Sequence, residues 1–549
     1  MATETIGIRY SKLRNSLISE RQTWIDPWRE LSDYLMPRFG RFNSERSNDG
    51  KKRYEKIIDS TATFAARTLS SGLMSGITSP ARPWFKLGLP SGYGTSVNAR
   101  SWLDECESRM RNVMARSNFY NVLPNVYTGL GVFGTGCMAI LEDEKTVIRC
   151  TPFQTGTYCL ATDHNQRVDT FVRDFRMTAR QIMQRFPDTA SPTVRSLADS
   201  AGSEQFIDVV QVVAPNQDYN PRRLDARYKR WHSCYYETST GGNVLLGESG
   251  FDEFPVLAPR WDTNGEDVYG EGPGSVALGD VKMLQKEQTM KLRGIEQETN
   301  PALMAPSSLK NSQVTSLPGG MTFYDDRQNQ GQGIKRLYES RFSVLEVRGD
   351  IIETQQRIDT AFFVDLFRMI SADQRGDRTA TEIMQLQEEK MLMLGPVLNR
   401  LDAELLDPAV DRIFNIMNRQ GKLPPPPREI QGLPLTVEYV SILARAQRMQ
   451  EVTQVDRWLG TIGSMAQSDP TVIDNVDRDA TASFYAESLG VPAKLQNSEE
   501  KKMAIRGARA QAQAQEAATA QALQVAQGAK LLSETNTTDQ NALTAVLGQ

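Results

Sequence analysis

Histidine is nearly absent from this chain: its 549 residues include only His164 and His232. Hydrolytic triads and many metal centres depend on an imidazole that titrates near neutrality. A chain of this length with two histidines is a poor vehicle for general acid–base chemistry, although carboxylates could still act. No Gly-x-x-x-x-Gly-Lys-Ser/Thr occurs, which excludes an ATPase-type phosphate loop. Neither HExxH nor a paired CxxC is present, and His232 with Cys234 lacks a second pair of ligands, so structural zinc is disfavoured. Nothing approaches the roughly 18 apolar residues of a membrane span. The N-terminal MATETIGIRYSKLRNSLISERQ has no apolar signal core, which predicts a chain that is not secreted.

Cysteine is also sparse. Cys106, Cys137, Cys150, Cys159 and Cys234 are odd in number and irregular in spacing, a pattern of reduced thiols rather than a disulfide framework. Basic charge in excess is lacking, with a net charge of −4 and a pI near 5.7. Such a chain does not coat nucleic acid by bulk attraction, though local basic loops remain open to it. What is present is ordinary soluble composition, 39% hydrophobic and 24% charged, at a length that predicts two to four domains.

Helical spacing of Ile8, Leu13, Leu17, Trp24, Trp28, Leu31 and Leu35 predicts an entry helix over 5–36, ended by Pro37 and Gly40. A basic polar loop follows. A second helix is predicted over Asp59 to Met74, then an extended turn at Ser79-Pro80-Ala81-Arg82-Pro83-Trp84, then a third helix over about 97–116. From 138 to 260 the pattern changes to short alternating runs such as MAILEDE, RVDTFVRDF and FIDVVQVVAP, with one helix near 178–186. These are strand signals, and they make the region α+β.

The second half is mostly helical. One long helix is predicted over 273–299, stopped by Asn300-Pro301, and another over about 345–370 with Ile351, Gln355, Ile358, Phe362 and Leu366 on one stripe. Short strands are predicted between them. A polar break at 371–378 precedes a helix of about forty residues, opened by a Thr379/Glu382 capping box and kinked at Gly395-Pro396. After the Pro424–Pro427 stop, 436–489 reads as helix again. An Ala/Gln-rich helix with a thin apolar stripe runs from Ser498 to about Leu532. Such a stripe gains little alone and more when bundled with its own copies.

Two motifs invite chemistry and fail on context. Gly129-Leu-Gly131-Val-Phe-Gly134 matches the dinucleotide-binding spacing, but it sits on a predicted helix that leads into a strand, the reverse of the required order, so the glycines read as structural. Asp469, Asp474, Asp477 and Asp479 miss the calcium-loop spacing and its glycine, and read as helix caps or a solvated face. Asp325-Asp326 and Glu388-Glu389 read as ordinary surface carboxylates. No catalytic, cofactor-binding or metal-binding residue is assigned.

Three segments resemble the portal (head-to-tail connecting) proteins of short-tailed bacteriophages. They are Gly72-Leu-Met-Ser-Gly-Ile-Thr-Ser-Pro-Ala-Arg-Pro-Trp-Phe-Lys-Leu87, Phe133-Gly-Thr-Gly-Cys-Met138 and Tyr269-Gly-Glu-Gly-Pro-Gly-Ser-Val-Ala-Leu-Gly-Asp-Val-Lys282. The resemblance runs from the N-terminal helix to about Arg419 and is weaker beyond about 430. It implies an α+β, largely helical portal-type fold: an α+β wing over 1–272, a stem of two helices at 273–300 and 345–370, and a small inserted clip at 301–344. It further implies a tunnel loop at 371–378, a long kinked wing helix over 379–430, a crown over 431–495, and a C-terminal helix or barrel over 496–532 before a flexible tail at 533–549. Gln374, Arg375 and Arg378 would face the channel, with Gly376 lending the loop freedom, and Gly395 and Pro396 would bend the long helix.

By the same resemblance the chain forms a dodecameric ring at one capsid vertex, a conduit for double-stranded DNA in packaging and ejection, without catalysis. Its partners would be the terminase large subunit (transiently), then head–tail adaptor and tail proteins, with major capsid and scaffold protein at the wing. It would be a virion component assembled in the host cytoplasm, with no membrane partner and no cofactor. A different internal virion or tail-adaptor protein is the nearest alternative. A metal-dependent nucleic-acid-processing enzyme is the alternative from another class.

Overall fold

The computed structural model describes residues 6–42, 53–89, 97–200, 202–242, 244–300, 303–304, 335–336, 344–371, 394–432, 436–439, 442–466, 469–488 and 499–534. Helices α1 (Ile6–Tyr34) and α2 (Thr61–Gly76), strand β1 (Phe85–Gly88), and helices α3 (Val97–Arg116) and α4 (Phe119–Phe133) come first. Strands β2 (Met138–Asp143), β3 (Val147–Pro152), β4 (Tyr158–Thr162) and β5 (Val168–Thr178) follow, then the short helices α5 (Ala179–Arg185) and α6 (Pro192–Ala198). Strands β6 (Phe206–Pro215), β7 (Trp231–Glu237), β8 (Leu245–Phe251) and β9 (Val256–Leu257) complete the strand-rich region.

The remainder is dominated by helix. It holds α7 (Pro273–Thr299), the two-residue strands β10 (Leu303–Met304) and β11 (Lys335–Arg336), α8 (Val344–Ala361), α9 (Val364–Ser371), α10 (394–401) and α11 (Asp407–Arg419). Strand β12 (Thr436–Tyr439) and helices α12 (Ile442–Ala466), α13 (Arg478–Ser488) and α14 (Glu499–Glu534) end it. The α+β expectation holds at this level: the chain mixes helices with antiparallel sheets.

Two compact units divide the chain. The first comprises residues 1–86, 108–423 and 437–444, the second 87–107, 424–436 and 445–549. In the first, β4 to β8 form a five-stranded antiparallel meander in sequence order. Its strands are apolar at consecutive positions because both faces are covered. Val210, Val212, Cys234 and Tyr236 face Tyr10 and Leu17 of α1, while Val209, Tyr235 and Leu246 face Ile182 of α5 and Val194 of α6. This is the alternation of a pleated strand sandwiched between helices. Each large apolar side chain so buried contributes roughly 2 kcal/mol. A smaller antiparallel sheet, β3-β2-β9, is clamped by α11. Its Arg412, 1% exposed, donates to the carbonyls of Ile140 at 2.7 Å and Glu253 at 3.1 Å.

All five cysteines are free and buried. Burial pushes the Cys150 thiol up to about 12 and the Cys159 thiol up to about 11, so neither is a thiolate near neutral pH. His232 is a core residue: its Nδ1 lies 3.1 Å from the Tyr10 hydroxyl and its Nε2 lies 2.9 Å from Glu248.

Three sequence expectations need correction. The helix over 345–370 is two helices, because the chain turns at Phe362-Phe363 and Phe363 takes a left-handed φ of 55°. That turn keeps Phe362, Val364 and Leu366 buried and sets the Phe363 ring 6.1 Å from Trp261. The helix over 436–489 begins instead as a strand, Thr-Val-Glu-Tyr, whose residues favour extended backbone. Within α10–α11 the turn Asp402–Leu406 is a wider π-helical turn. Pro408 follows it and has no N–H to give the preceding turn, and a π-turn is one way a helix absorbs that loss.

In the second unit, Trp102 Nε1 donates to the Pro424 carbonyl at 2.9 Å and Glu107 accepts from the Leu87 amide at 2.8 Å. The acidic cluster caps and pairs as expected. Asp477 accepts from the amides of Asp479 and Ala480 at the start of α13, Asp469 accepts from Thr471, and Asp479 pairs with Arg506 of α14 at 2.7 Å. On α14 the described side chains from 503 to 525 are all exposed.

Candidate functional site

Helices α7 and α8 return on one another. Arg357 of α8 approaches Asp280 of α7 at 3.6 Å, while Leu303 pairs with Arg336 and Met304 with Lys335 beyond the helix ends. Rising numbers on one side meet falling numbers on the other, so the pair is an antiparallel hairpin with 301–343 inserted at its tip. The hairpin's base is apolar: Ala277, Val281, Leu284, Ile351 and Ile358 are buried. Apolar side chains also face solvent along the hairpin, Val276 (73%) near the base and Met290 (52%), Leu292 (55%) and Leu345 (78%) in the outer half.

A polar clasp holds the base. Gln285 of α7 accepts from the Ile58 amide at 2.7 Å and the Asp59 amide at 2.8 Å, and donates to the Asp59 carbonyl at 2.9 Å. The Asp59 carboxylate accepts from Gln288 of α7 at 2.8 Å, Gln355 of α8 at 2.9 Å and the Thr61 amide at 2.9 Å. Burial opposes the charge on Asp59, yet the bonds from Thr61, Gln288 and Gln355 outweigh it and hold the carboxyl below its usual range. One carboxylate therefore ties both long helices to the entrance of α2. No sequence periodicity signals this, because residues 59, 285, 288 and 355 are remote in the chain.

The three segments that carried the resemblance are structural, and two of them touch. Gly134 ends α4 with a φ of 77°, and its amide oxygen bonds the Trp261 amide at 2.8 Å. Gly270 donates to the Thr135 hydroxyl at 2.9 Å. Gly134, the last of the dinucleotide-like glycines, thus serves close backbone approach. Tyr269, beside them, lies 4.9 Å edge-on from Trp28 of α1 and bonds the Leu160 amide at 3.1 Å. In the third segment Trp84 Nε1 donates to the Tyr120 hydroxyl at 3.0 Å.

Of the residues singled out from the sequence, Gln374, Arg375 and Arg378 lie outside the described residues, as do Gly376, Thr379, Glu382, Asp325-Asp326 and Glu388-Glu389. Gly395 and Pro396 sit in α10, where a Cβ on Gly395 would meet no atom within 4 Å. The half of the long helix preceding α10, and the tail after 534, also lie outside the description. Among the described residues no group of three or more His, Cys, Asp or Glu side chains is placed to hold a metal ion. No described helix is long and apolar enough to cross a membrane.

Comparison with known proteins shows which family the chain belongs to. Residues 9–496 match the family described as bacteriophage head to tail connecting protein. The chain is 43% identical over 550 residues to the portal protein of Salmonella phage epsilon15, covering 99% of this chain and 98% of that one. It is 39% identical over 544 residues to a probable portal protein of Bordetella phage BPP-1, covering 98% and 96% respectively. With a match across most of its length and relatives this similar end to end, the chain belongs to the bacteriophage head to tail connecting protein family.

Proposed function

We propose that the chain is the portal subunit of a phage: copies of it close into a dodecameric ring at one capsid vertex, and double-stranded DNA passes through the central channel during packaging and ejection. The role is structural, a conduit and docking platform rather than a catalyst. The observation that carries this reading is the α7–α8 hairpin, with a buried, clasped base and an outer half that leaves Met290, Leu292 and Leu345 exposed. Head-to-tail repetition that closes on rotation covers such an arm with its neighbour's.

The parts follow. The hairpin is the stem, 301–344 the clip at its tip, 371–378 the tunnel loop, and 379–430 the wing's long helix. Residues 431–495 form the crown, and α14 continues it as a helical barrel, which supplies the burial that its exposed Met503, Leu523 and Val525 lack. Arg375 and Arg378 present the channel's few cations, consistent with a mildly acidic chain that lets DNA slide instead of holding it. The clip receives the terminase large subunit and then the head–tail adaptor, and the wing meets capsid and scaffold protein during assembly in the host cytoplasm. Immunogold labelling of purified virions with antibody against this chain tests the placement. Label confined to a single vertex is the expected result, and label distributed over the shell or absent from the particle overturns it.

A further inference from the structure

A cleft of about 750 Å³ opens in the first unit between α1, the 39–42 segment, residues 152–157 and β5. Five arginines line it, Arg14, Arg21, Arg41, Arg173 and Arg176, with two carboxylates, Asp174 and Asp208. Both carboxylates are committed. Arg14 grips Asp174 in a fork at 2.7 and 2.9 Å, and Arg176 bonds Asp208 at 2.8 Å.

Among the described residues, two guanidiniums are left without an anion. Arg173 lies against the rings of Phe175 and Phe153, its carbon 4.1 and 4.9 Å from their centroids, and its buried Nε has no hydrogen-bond partner. Arg21 donates to the Tyr158 carbonyl at 2.8 Å, while its own Nε is buried and unpartnered. Neither has a carboxylate within ion-pairing distance among the described residues. A half-buried guanidinium in that state is destabilising, and burial indeed lowers the pKa of Arg173. The wall beside it is stitched in place: the Arg41 amide bonds the Thr155 carbonyl at 2.9 Å, and Gly156, at a φ of 92°, lets the Arg41 carbonyl come closer than any side chain would allow. The site is thus prebuilt, cationic at its centre and aromatic at its sides.

We infer that this cleft is a docking site for an acidic, partly apolar peptide segment of another protein, with a carboxylate of the segment received by Arg173 and Arg21. A planar guanidinium fork matches a carboxylate in two parallel hydrogen bonds. The phenyl rings of Phe39, Phe42, Phe153 and Phe175 offer apolar contact beside it. A bare run of phosphates fits less well, because it offers nothing apolar to set against these rings. The inference rests on the cleft alone and survives or fails independently of the channel reading.

The test is fluorescence anisotropy on the full-length protein with a labelled Glu-Leu-Glu-Glu-Leu-Glu peptide, alongside a labelled twelve-thymidine single strand. The peptide is expected to bind, with a loss of about tenfold or more in Arg173→Gln, a smaller loss in Arg173→Lys, and less than about twofold in Arg176→Gln, whose cation is already paired. Equal peptide binding by wild type and Arg173→Gln overturns the proposal. So does tighter, Arg173-dependent binding of the thymidine strand, which would make the site one for nucleic acid. Should Arg173→Gln fail to fold, hydrogen exchange of the wild-type protein decides. Peptide-induced protection at 152–157 and 173–176 supports the site, and protection elsewhere overturns it.

Discussion

Gly134 and Gly270 meet backbone to backbone: a Cβ on Gly134 would lie 2.1 Å from the Gly270 carbonyl oxygen, and a Cβ on Gly270 would lie 2.4 Å from the Gly134 oxygen. The end of α4 and the approach to α7 are locked together through this contact, so the base of the hairpin is set by two residues that have no side chain.

Substituting either glycine by alanine is therefore expected to cost about 3 kcal/mol or more through overpacking, with strain at a left-handed φ added at Gly134. Gly279→Ala is the control, since a Cβ there meets nothing within 4 Å and sits inside α7. It should be neutral or stabilising by up to about 1 kcal/mol. Thermal unfolding followed by circular dichroism separates the two outcomes.

The Asp59 clasp and Asp402 respond to pH in opposite directions. Asp59 is held below its ordinary value, so its contribution is present above the usual carboxylate range and is lost as pH falls through that range and below. Asp402 is raised to about 6 by burial and by the neighbouring charge of Asp407. Its folded form takes up a proton more readily than the unfolded chain, so stability is gained as pH falls from about 6 toward 4 and lost on the way back up. Asp402→Asn should stabilise the protein by about 1 kcal/mol at pH 7.5 and make little difference near pH 4. Asp59→Ala should destabilise it by about 3 kcal/mol at pH 7.5, with the penalty shrinking in acid. Denaturant titrations at the two pH values check both signs.

The outer half of the hairpin gives a variant that separates folding from assembly. Leu292 is 55% exposed in the single chain, so Leu292→Asp should leave the monomer's unfolding within about 0.5 kcal/mol of wild type. The same aspartate placed between neighbouring stems is buried and unpaired, and sedimentation velocity should show the large species falling apart into monomers. A change in unfolding with assembly intact would place the stem contacts elsewhere.

Reversing Arg375 to Glu should leave the assembled species unchanged in mass while altering DNA packaging or genome retention. Particle DNA content and infectivity check this, and unchanged infectivity would remove Arg375 from the channel.

Much of the fold was legible along the chain because its stops are local. Gly272-Pro273 opens α7 and Asn300-Pro301 closes it, so both ends match the predicted bounds. The glycine motif at 129–134 was legible as structural from the helix before it and the strand after it. The break at Phe362-Phe363 was not, since neither residue interrupts a helix by itself and only the packing of Phe363 on Trp261 accounts for the turn. Pro408 is a local signal for the wide turn at Asp402–Leu406. The Asp59 clasp and the Arg173 cleft are joined from remote segments, and pairing across hundreds of residues leaves no spacing to detect.

The central claim is that this chain closes into a ring. Electron microscopy of the purified full-length protein, with rotational symmetry analysis of end-on views, tests it most directly. The account predicts closed rings with a central channel and dodecameric symmetry. A homogeneous, stable monomer would contradict it.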